Sequence, residues 1–161
     1  MEHSGLTHGG WEGVMPKGKV VITYGTFDLF HVGHLRLLKR LKSLGGTLIV
    51  GVSTDQFNDL KGKETVVPFA QRSEIVKSIK WVDLVIEENS WEQKKSDIVG
   101  YGADIFGIGS DWQGKFDHLS ELCEVVYLER TEGTSSTQLK EQLQKSLSAK
   151  DGLLKAIRNL E

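Results

Sequence analysis

Five short apolar runs alternate with segments of helical spacing from residue 19 onward, and this alternation constrains the fold more than any other feature. The predicted strands are residues 20–24, 47–52, 83–87, 104–108 and 124–128. The predicted helices are residues 33–43, 69–80, 91–99 and 136–147, and the crossover between residues 110 and 124 has the weakest helical pattern. Strands separated by helices form right-handed βαβ units. The sequence therefore predicts an α/β fold with a doubly wound, parallel five-stranded sheet and helices on both faces.

Composition favours one globular domain of this kind. The chain has 161 residues, of which 39% are hydrophobic and 26% charged, and these values suit a folded domain with a single core. We divide it into a flexible N-terminal arm over residues 1–18, one domain over residues 19–148, and a C-terminal tail over residues 149–161. The tail either extends the last helix or frays.

Charge, hydropathy and cysteine content exclude several classes of function. A net charge of −2 provides no field that would attract nucleic acid or an acidic membrane. No apolar run approaches the roughly 18 residues that span a bilayer, and the N-terminus has no apolar signal core. The single cysteine, Cys123, excludes an internal disulfide framework. We therefore expect a cytoplasmic protein without nucleic-acid partners and without stable membrane anchoring.

The most informative motif is GTFDLFHVGH, residues 25–34, which joins the first predicted strand to the first predicted helix. Such a turn directs free backbone N–H groups and the positive end of a helix dipole outward. Gly25 and Gly33 lack Cβ atoms, which lets the backbone approach a bulky anion. His31 and His34 share one face of the first helical turn, and as hydrogen-bond donors or as shared positive charge they suit a polyphosphate. A partial metal site or two surface histidines would also satisfy their spacing.

Two further segments follow predicted strands and carry groups that bind anions. The loop after the second strand contains Lys61 and Lys63, which are either phosphate ligands on a mobile loop or part of a solvated basic loop. After the fifth strand, Arg130 precedes a hydroxyl-rich helix start at residues 135–137. These hydroxyls cap the helix in any case, and with Arg130 they also make a second anion-binding helix N-terminus. Ligands of parallel sheets bind outside the carboxyl ends of the strands, where all these segments lie.

The motif at residues 25–34 resembles the His-x-Gly-His signature of the nucleotidyltransferase superfamily, and it is most similar to that of the cytidylyltransferases. Residues 91–95 (WEQKK) and residues 111–117 (DWQGKFD) closely resemble segments of the glycerol-3-phosphate cytidylyltransferases. The string at residues 130–137 is nearly identical to the family's Arg-Thr-x-Gly-x-Ser-Thr/Ser-Thr motif. The resemblance covers about residues 19–145 and implies a Rossmann-like fold.

The resemblance also implies an activity. CTP would react with sn-glycerol 3-phosphate to give CDP-glycerol and pyrophosphate, a supply step for teichoic acids or glycerol-phosphate capsules. A phosphate oxygen of the acceptor would attack the α-phosphorus in line, and because the acceptor is already an anion, no general base is required. Mg²⁺ or another divalent cation is implied as cofactor, with its ligands unknown, and a homodimer is implied as the assembly.

Residue by residue, the resemblance assigns three groups of side chains. The catalytic residues are His31, His34, Lys63 and Lys80. The nucleotide-binding residues are Thr26, Phe27, His31, His34, Lys63, Arg72, Lys80, Asp111, Arg130, Thr131, Gly133, Ser135, Ser136 and Thr137. The substrate-binding residues are Lys61 and Lys94. Lys80 departs from the family pattern, which has an arginine before the aromatic-Val-Asp string, and a lysine lacks the planar fork of an arginine. Arg72 is expected to share its role.

Two alternatives remain open from the sequence. A related enzyme would use choline phosphate, ethanolamine phosphate or another polyol phosphate as acceptor, or would transfer an adenylyl group. A non-catalytic nucleotide-binding protein of the same fold is the other alternative. The presence of both histidines and of both loop lysines argues against it, since a degenerate site need not retain them.

Overall fold

The computed structural model describes residue 11 and residues 13–159, and in this part of the chain five parallel strands form one sheet. The strands are β1 (Val20–Gly25), β2 (Thr47–Ser53), β3 (Leu84–Glu88), β4 (Ile105–Gly109) and β5 (Glu124–Leu128). Their order is β3-β2-β1-β4-β5. The chain therefore winds outward from β1 to β3, then returns to place β4 on the other side of β1. This order puts the topological switch point between β1 and β4, and it confirms the predicted doubly wound parallel sheet.

The helices follow the predicted pattern with three differences. They are α1 (Val32–Ser43), α2 (Asp55–Leu60), α3 (Phe69–Lys77), α4 (Gln93–Tyr101) and α5 (Ser136–Arg158). The short α2 replaces part of the predicted loop after β2. Two 3₁₀ turns, Ser110–Trp112 and Asp117–Glu121, form the connection between β4 and β5, where the helical pattern was weakest. The last helix continues through most of the predicted tail, so of the two alternatives for that segment the structure shows extension of the helix.

Alternating side chains along the strands build a core on each face of the sheet. On one face, Val20, Ile22 and Tyr24 of β1 pack with residues of β4, α4 and the second 3₁₀ turn. On the other face, Val21 packs with Leu48 and Val50 of β2 and with residues of α1 and α3. Both faces of a parallel sheet are covered in this way. The arrangement holds the carboxyl ends of the strands in fixed positions at one edge, where the candidate site lies.

The predicted arm over residues 1–18 lies largely outside the described residues, because residues 1–10 and residue 12 are not described. Of its described part, Trp11 packs edge-to-face on Tyr101 with ring centroids 5.6 Å apart. The backbone N–H and C=O of Lys17 both bond the hydroxyl of Thr47, at 2.7 and 3.0 Å. These residues therefore contact the domain. Among the helices that the structure describes, none combines the length and apolar character needed to cross a membrane.

Candidate active site

A cavity of about 420 Å³ lies at the carboxyl ends of β1, β4 and β5, at the switch point of the sheet. Its wall contains eleven of the residues predicted to bind or act on a nucleotide. They are Thr26, Phe27, His31, His34, Lys63, Asp111, Arg130, Thr131, Ser135, Ser136 and Thr137. Four segments that are far apart in the sequence therefore meet at one place, and three of them directly follow β1, β4 and β5, as the rule for parallel sheets requires.

The turn between β1 and α1 has an unusual backbone. Phe27 and Leu29 have φ angles of +54° and +48°, in the left-handed region that residues other than glycine rarely adopt. Such conformations cost free energy and persist where the surroundings enforce them. The buried carboxylate of Asp28 does so here, because it accepts the backbone N–H groups of Val66 and Val67 at 2.9 Å each. Strain and hydrogen bonding together fix the turn that begins α1.

Asp28 also connects this turn to α5. Its carboxylate pairs with the ammonium group of Lys140 at 2.9 Å, and its backbone C=O accepts the hydroxyl of Ser136 at 2.6 Å. Burial raises the pKa of the Asp28 carboxyl, but the two backbone N–H groups and Lys140 outweigh burial and lower it overall. The ionised carboxylate thus joins the β1–α1 turn, the loop after α2 and the start of α5, which form three walls of the cavity.

The two histidines occupy both ends of a capping box at the start of α1. His31 is the N-cap, and its Nδ1 accepts the backbone N–H of Gly33 at 3.0 Å. His34 Nδ1 accepts the backbone N–H of His31 at 3.3 Å. Because both Nδ1 atoms are acceptors, we assign the proton of each neutral ring to Nε2. Each ring therefore has an N–H donor left over for a ligand.

The imidazole rings are stacked, with centroids 3.9 Å apart. A Cβ atom on Gly33 would lie 2.7 Å from the His31 ring, so the glycine makes room for that ring. Gly25 similarly makes room for the ring of Phe27, since a Cβ there would lie 2.8 Å from it. These glycines therefore let aromatic side chains pack onto the turn, and their role in letting the backbone approach an anion stays a prediction.

Both histidines are neutral near pH 7. Burial, reinforced by His31 and Lys63, lowers the pKa of His34 to about 4, although Asp28 acts in the opposite direction. Burial and the neighbouring Arg130 lower the pKa of His31. Of the two roles considered from the sequence, the lowered pKa values and the capping box together favour hydrogen-bond donors over shared positive charge.

We expect the free energy of unfolding to fall as the pH drops from about 6.5 toward about 4. The two histidines stay neutral in the folded chain, whereas unfolded histidines with a pKa of 6.5 take up protons. The unfolded state then binds more protons, which favours it by at most about 1.4 kcal/mol per pH unit for each histidine. Asp28 and Asp55 stay ionised over the upper part of this window, because their pKa values are lowered from 3.8.

Urea unfolding at about pH 7 and about pH 5 measures this difference. The control variant is His34→Gln, because a glutamine at the third helical position can still accept the N-cap N–H but does not titrate. The loss of stability between the two pH values should be smaller in this variant. An equal loss in both proteins would show that His34 does not carry the pH dependence.

The segment after β5 forms the far wall of the cavity and starts α5. Ser135 is the N-cap, and its hydroxyl accepts the backbone N–H of Gln138 at 3.1 Å. Gly133 has a φ of +76°, in the left-handed region that favours glycine. Gly133 itself is not in the wall of the cavity, but residues on both sides of it are. Arg130 and Asp111 form an exposed ion pair with an N–O distance of 3.4 Å. Of the three predicted cap hydroxyls, that of Ser135 caps the helix and that of Ser136 donates to the C=O of Asp28, and the position of all three residues on the cavity is compatible with a ligand role.

Lys94 lines a neighbouring cavity of about 540 Å³, and Lys61 lies close to it. Trp91 and Phe116 line this second cavity, and Trp112 lines both cavities, so the two adjoin each other. The two lysines are held by Glu88, a buried residue that the sequence interpretation missed. The sequence signal for it was the pair Glu87 and Glu88 at the end of the third strand. Because successive side chains of a strand point to opposite faces, one of the two must face the interior.

Arg72 is buried and lies in the wall of neither cavity, and its role as a nucleotide ligand stays a prediction. The residue is 1% exposed, and each of its three guanidinium nitrogens donates to a protein oxygen. Nη1 donates to the C=O groups of Thr26 and Ser53 at 2.6 and 2.8 Å, and Nε donates to that of Val67 at 2.8 Å. Nη2 pairs with Asp55 at 2.7 Å. Arg72 thus ties the β1–α1 turn to β2 and α2.

The structure does not bring Lys80 to either cavity. It is an exposed residue in the turn between α3 and β3, with its Nζ 5.0 Å from the ring centroid of Trp81. This turn leads into the amino end of β3, whereas the cavities lie at the carboxyl ends of the strands. Within a single chain, its place in the topology therefore separates Lys80 from the nucleotide site.

No three histidine, cysteine, aspartate or glutamate side chains come together as metal ligands among the described residues. Mg²⁺ commonly binds through one or two carboxylates plus substrate phosphates and waters. The carboxylate of Asp111, on the wall of the first cavity, fits this mode.

A parallel sheet with a nucleotide-sized cavity at its switch point, and a capping box of two histidines on that cavity, define a nucleotide-binding α/β protein. The chain belongs to the cytidylyltransferase-like family, whose model matches residues 22–142. It is 54% identical over 125 residues to the glycerol-3-phosphate cytidylyltransferase of Bacillus subtilis (strain 168), covering 78% of this chain and 97% of that protein. The corresponding enzyme of Staphylococcus aureus (strain NCTC 8325 / PS 47) is 50% identical, with 78% and 95% covered.

More distant proteins share the fold. The probable choline-phosphate cytidylyltransferase of Schizosaccharomyces pombe (strain 972 / ATCC 24843) is 36% identical over 137 residues, covering 77% of this chain and 37% of that protein. Among solved structures, the lipopolysaccharide core biosynthesis protein of Thermoplasma volcanium GSS1 superposes with a TM-score of 0.61. That protein is 25% identical, and the match covers 72% of this chain and 100% of the other.

Proposed function

We propose that the protein is a cytidylyltransferase that converts CTP and sn-glycerol 3-phosphate to CDP-glycerol and pyrophosphate. The structural observation that carries the proposal is the adjacency of two cavities that share Trp112, one with paired histidine donors and one lined by the buried Lys94, with Lys61 close to it. Two anionic substrates can lie side by side in this arrangement. The identity of about half of the residues to glycerol-3-phosphate cytidylyltransferases supports the choice of substrates.

CTP would bind in the first cavity, which is lined by most of the predicted nucleotide-binding residues. The β1–α1 turn with Thr26 and Phe27 and the segment at residues 130–137 would seat the nucleotide. Lys63, a residue of the first cavity, would contact the triphosphate. Burial and the nearby Lys140 lower the pKa of Lys63, so binding of an anion would favour its charged form.

Catalysis would consist of positioning and of stabilising negative charge. A phosphate oxygen of glycerol 3-phosphate forms a bond to the α-phosphorus while the bond from that phosphorus to the bridging oxygen of the β-phosphate breaks. Pyrophosphate leaves on the opposite side. Negative charge on the α-phosphate oxygens would be stabilised by the Nε2–H groups of His31 and His34, which are oriented before the reaction by the capping box.

We further propose that Mg²⁺ or another divalent cation accompanies the triphosphate, held by phosphate oxygens and the carboxylate of Asp111. Such an ion supplies charge neutralisation on phosphate oxygens. We also propose a homodimeric, cytoplasmic protein that uses small anionic substrates rather than nucleic acid and has no stable membrane anchor. Sedimentation of the purified protein at several concentrations tests the dimer.

Pyrophosphate release tests the activity. We expect release when the protein is incubated with CTP, Mg²⁺ and glycerol 3-phosphate, and much less with phosphocholine, phosphoethanolamine or ribitol 5-phosphate. ATP in place of CTP serves as the control for the base. Release with a different phospho-alcohol would show that the protein uses another acceptor in the same type of reaction. Tight CTP binding without release for any acceptor would favour a non-catalytic nucleotide-binding protein.

A further inference from the structure

Glu88 is a buried carboxylate at the carboxyl end of β3, beside the second cavity. Its side chain is buried, with the residue 2% exposed, whereas the preceding Glu87 is exposed. Ser53 is its register partner on β2, and the hydroxyl of Ser53 donates to Glu88 Oε2. A buried carboxylate is costly unless it is paired and hydrogen-bonded. Its partners therefore indicate its role.

Two lysine ammonium groups converge on this carboxylate from different elements. Lys94, in the first turn of α4, donates to Glu88 Oε1 and is itself buried. Lys61, directly after α2, has its Nζ 3.9 Å from Glu88 Oε2 and 3.0 Å from the hydroxyl of Ser53. Two positive charges and one negative charge leave this group with a net charge of +1. The excess is available to an anionic ligand.

Aromatic rings surround the same two ammonium groups. Lys94 Nζ lies 4.5 Å from the ring centroid of Tyr24 and 4.7 Å from that of Trp91. Lys61 Nζ lies 4.3 Å from the ring centroid of Phe57. The face of a ring attracts a cation without fixing the direction of its N–H bonds, whereas a carboxylate accepts those bonds in defined directions. Glu88 therefore orients Lys94 directly, and it orients Lys61 through the Ser53 hydroxyl, which donates to Glu88 and accepts an N–H of Lys61.

We propose that Glu88 is a positioning residue for the acceptor, which holds Lys61 and Lys94 with their remaining N–H donors ready for the acceptor's phosphate group. The proposal rests on the proposed function, in which these two lysines bind that phosphate. Each ammonium group has three donors, so the bond from Lys94 to Glu88 and the bond from Lys61 to Ser53 each leave donors for the ligand. Side chains that are already ordered lose less entropy on binding.

The experiment compares Glu88→Gln with Glu87→Gln, a matched change at the exposed neighbour. Binding of glycerol 3-phosphate is measured by calorimetry with a non-hydrolysable CTP analogue present, and turnover is measured with each substrate varied separately. In Glu88→Gln we expect the Kd and KM for glycerol 3-phosphate to rise about tenfold or more. The KM for CTP should change by less than about threefold, and Glu87→Gln should match the wild type.

The pH profile provides a second readout that a purely structural role would not move. Burial lowers the pKa of Lys61 to about 8, and Glu88 is the neighbour that opposes this. The other charged groups facing Lys61 are Lys63 of its own loop, Lys94 of α4 and Arg72 of α3, all of which lower its pKa. The KM for glycerol 3-phosphate should therefore rise above about pH 8 in the wild type. In Glu88→Gln the rise should begin at a lower pH.

Each result has a distinct meaning. A lower kcat with unchanged Kd and KM for glycerol 3-phosphate would mean that the substitution only reduces the folded fraction, and it would overturn the proposal for Glu88 alone. If the wild-type protein turns over CTP with another phospho-alcohol, the choice of glycerol 3-phosphate as acceptor is wrong. The same variants measured with that phospho-alcohol would still test the role of Glu88. A wild-type protein that binds none of these phosphates would overturn both proposals.

Discussion

Replacing His31 with asparagine should lower kcat by about 10²- to 10³-fold, the usual effect of removing one oriented donor to developing negative charge. Asparagine is a favoured N-cap residue, so its side-chain oxygen can still accept the N–H of Gly33 that His31 Nδ1 accepts. The variant removes the Nε2–H donor and keeps the cap. The KM for CTP should change little, because the donor acts mainly on charge that develops in the transition state.

His31→Ala is the matched comparison, because it removes the donor and the cap together. We expect the same fall in kcat and an additional loss of about 1 kcal/mol in the free energy of unfolding. Stopped assays of pyrophosphate release and urea unfolding measure the two effects separately. An unchanged kcat in His31→Asn would contradict the charge-stabilising role. Equal stability of the two variants would mean that the capping bond contributes little.

Much of the fold is predictable because its signals are local. Each strand is a short apolar run, and the observed strands differ from the predicted ones by at most one residue at either end. The helix α2 was missed because Asp55–Leu60 is only six residues long, too short to show a helical period. The connection between β4 and β5 gave a weak pattern because it forms 3₁₀ turns, which lack the period of an α-helix.

The nucleotide cavity was also predictable, since its residues lie in motifs that directly follow strand ends. The burial of Arg72 was not, because an arginine in an amphipathic helix has the sequence pattern of a solvent-exposed residue. Its partners Thr26 and Ser53 are 46 and 19 residues away in the chain. Lys80 was assigned by likeness to a family motif, and only the topology shows that its turn lies at the opposite end of β3. The burial of Arg72 depends on long-range contacts and the place of Lys80 on chain direction, and neither is visible in a local sequence pattern.

Replacing Arg72 with alanine should lower the free energy of unfolding by several kcal/mol, because the buried C=O groups of Thr26 and Ser53 lose their donors at a cost of about 1–3 kcal/mol each. The variant leaves Asp55 without its cation and leaves the C=O groups of Thr26, Ser53 and Val67 without the N–H donors of the guanidinium. Buried acceptors without partners are costly. Urea unfolding measures the change, and Gln71→Ala, at the exposed neighbouring position of α3, should alter it by less than about 0.5 kcal/mol.

Arg72→Lys separates a structural role from a ligand role. A lysine keeps the positive charge that would attract a triphosphate, but it has one ammonium group in place of a planar fork and cannot reach all four partners. If Arg72 is structural, this variant should lose a large part of the stability lost by Arg72→Ala, while its folded fraction should still bind CTP. The opposite pattern would restore the sequence prediction that Arg72 binds the nucleotide: wild-type stability in both variants, and CTP affinity lost in Arg72→Ala but largely retained in Arg72→Lys. The four bonds of the guanidinium to protein groups argue for the first pattern, because they occupy four of its five N–H donors within a buried side chain.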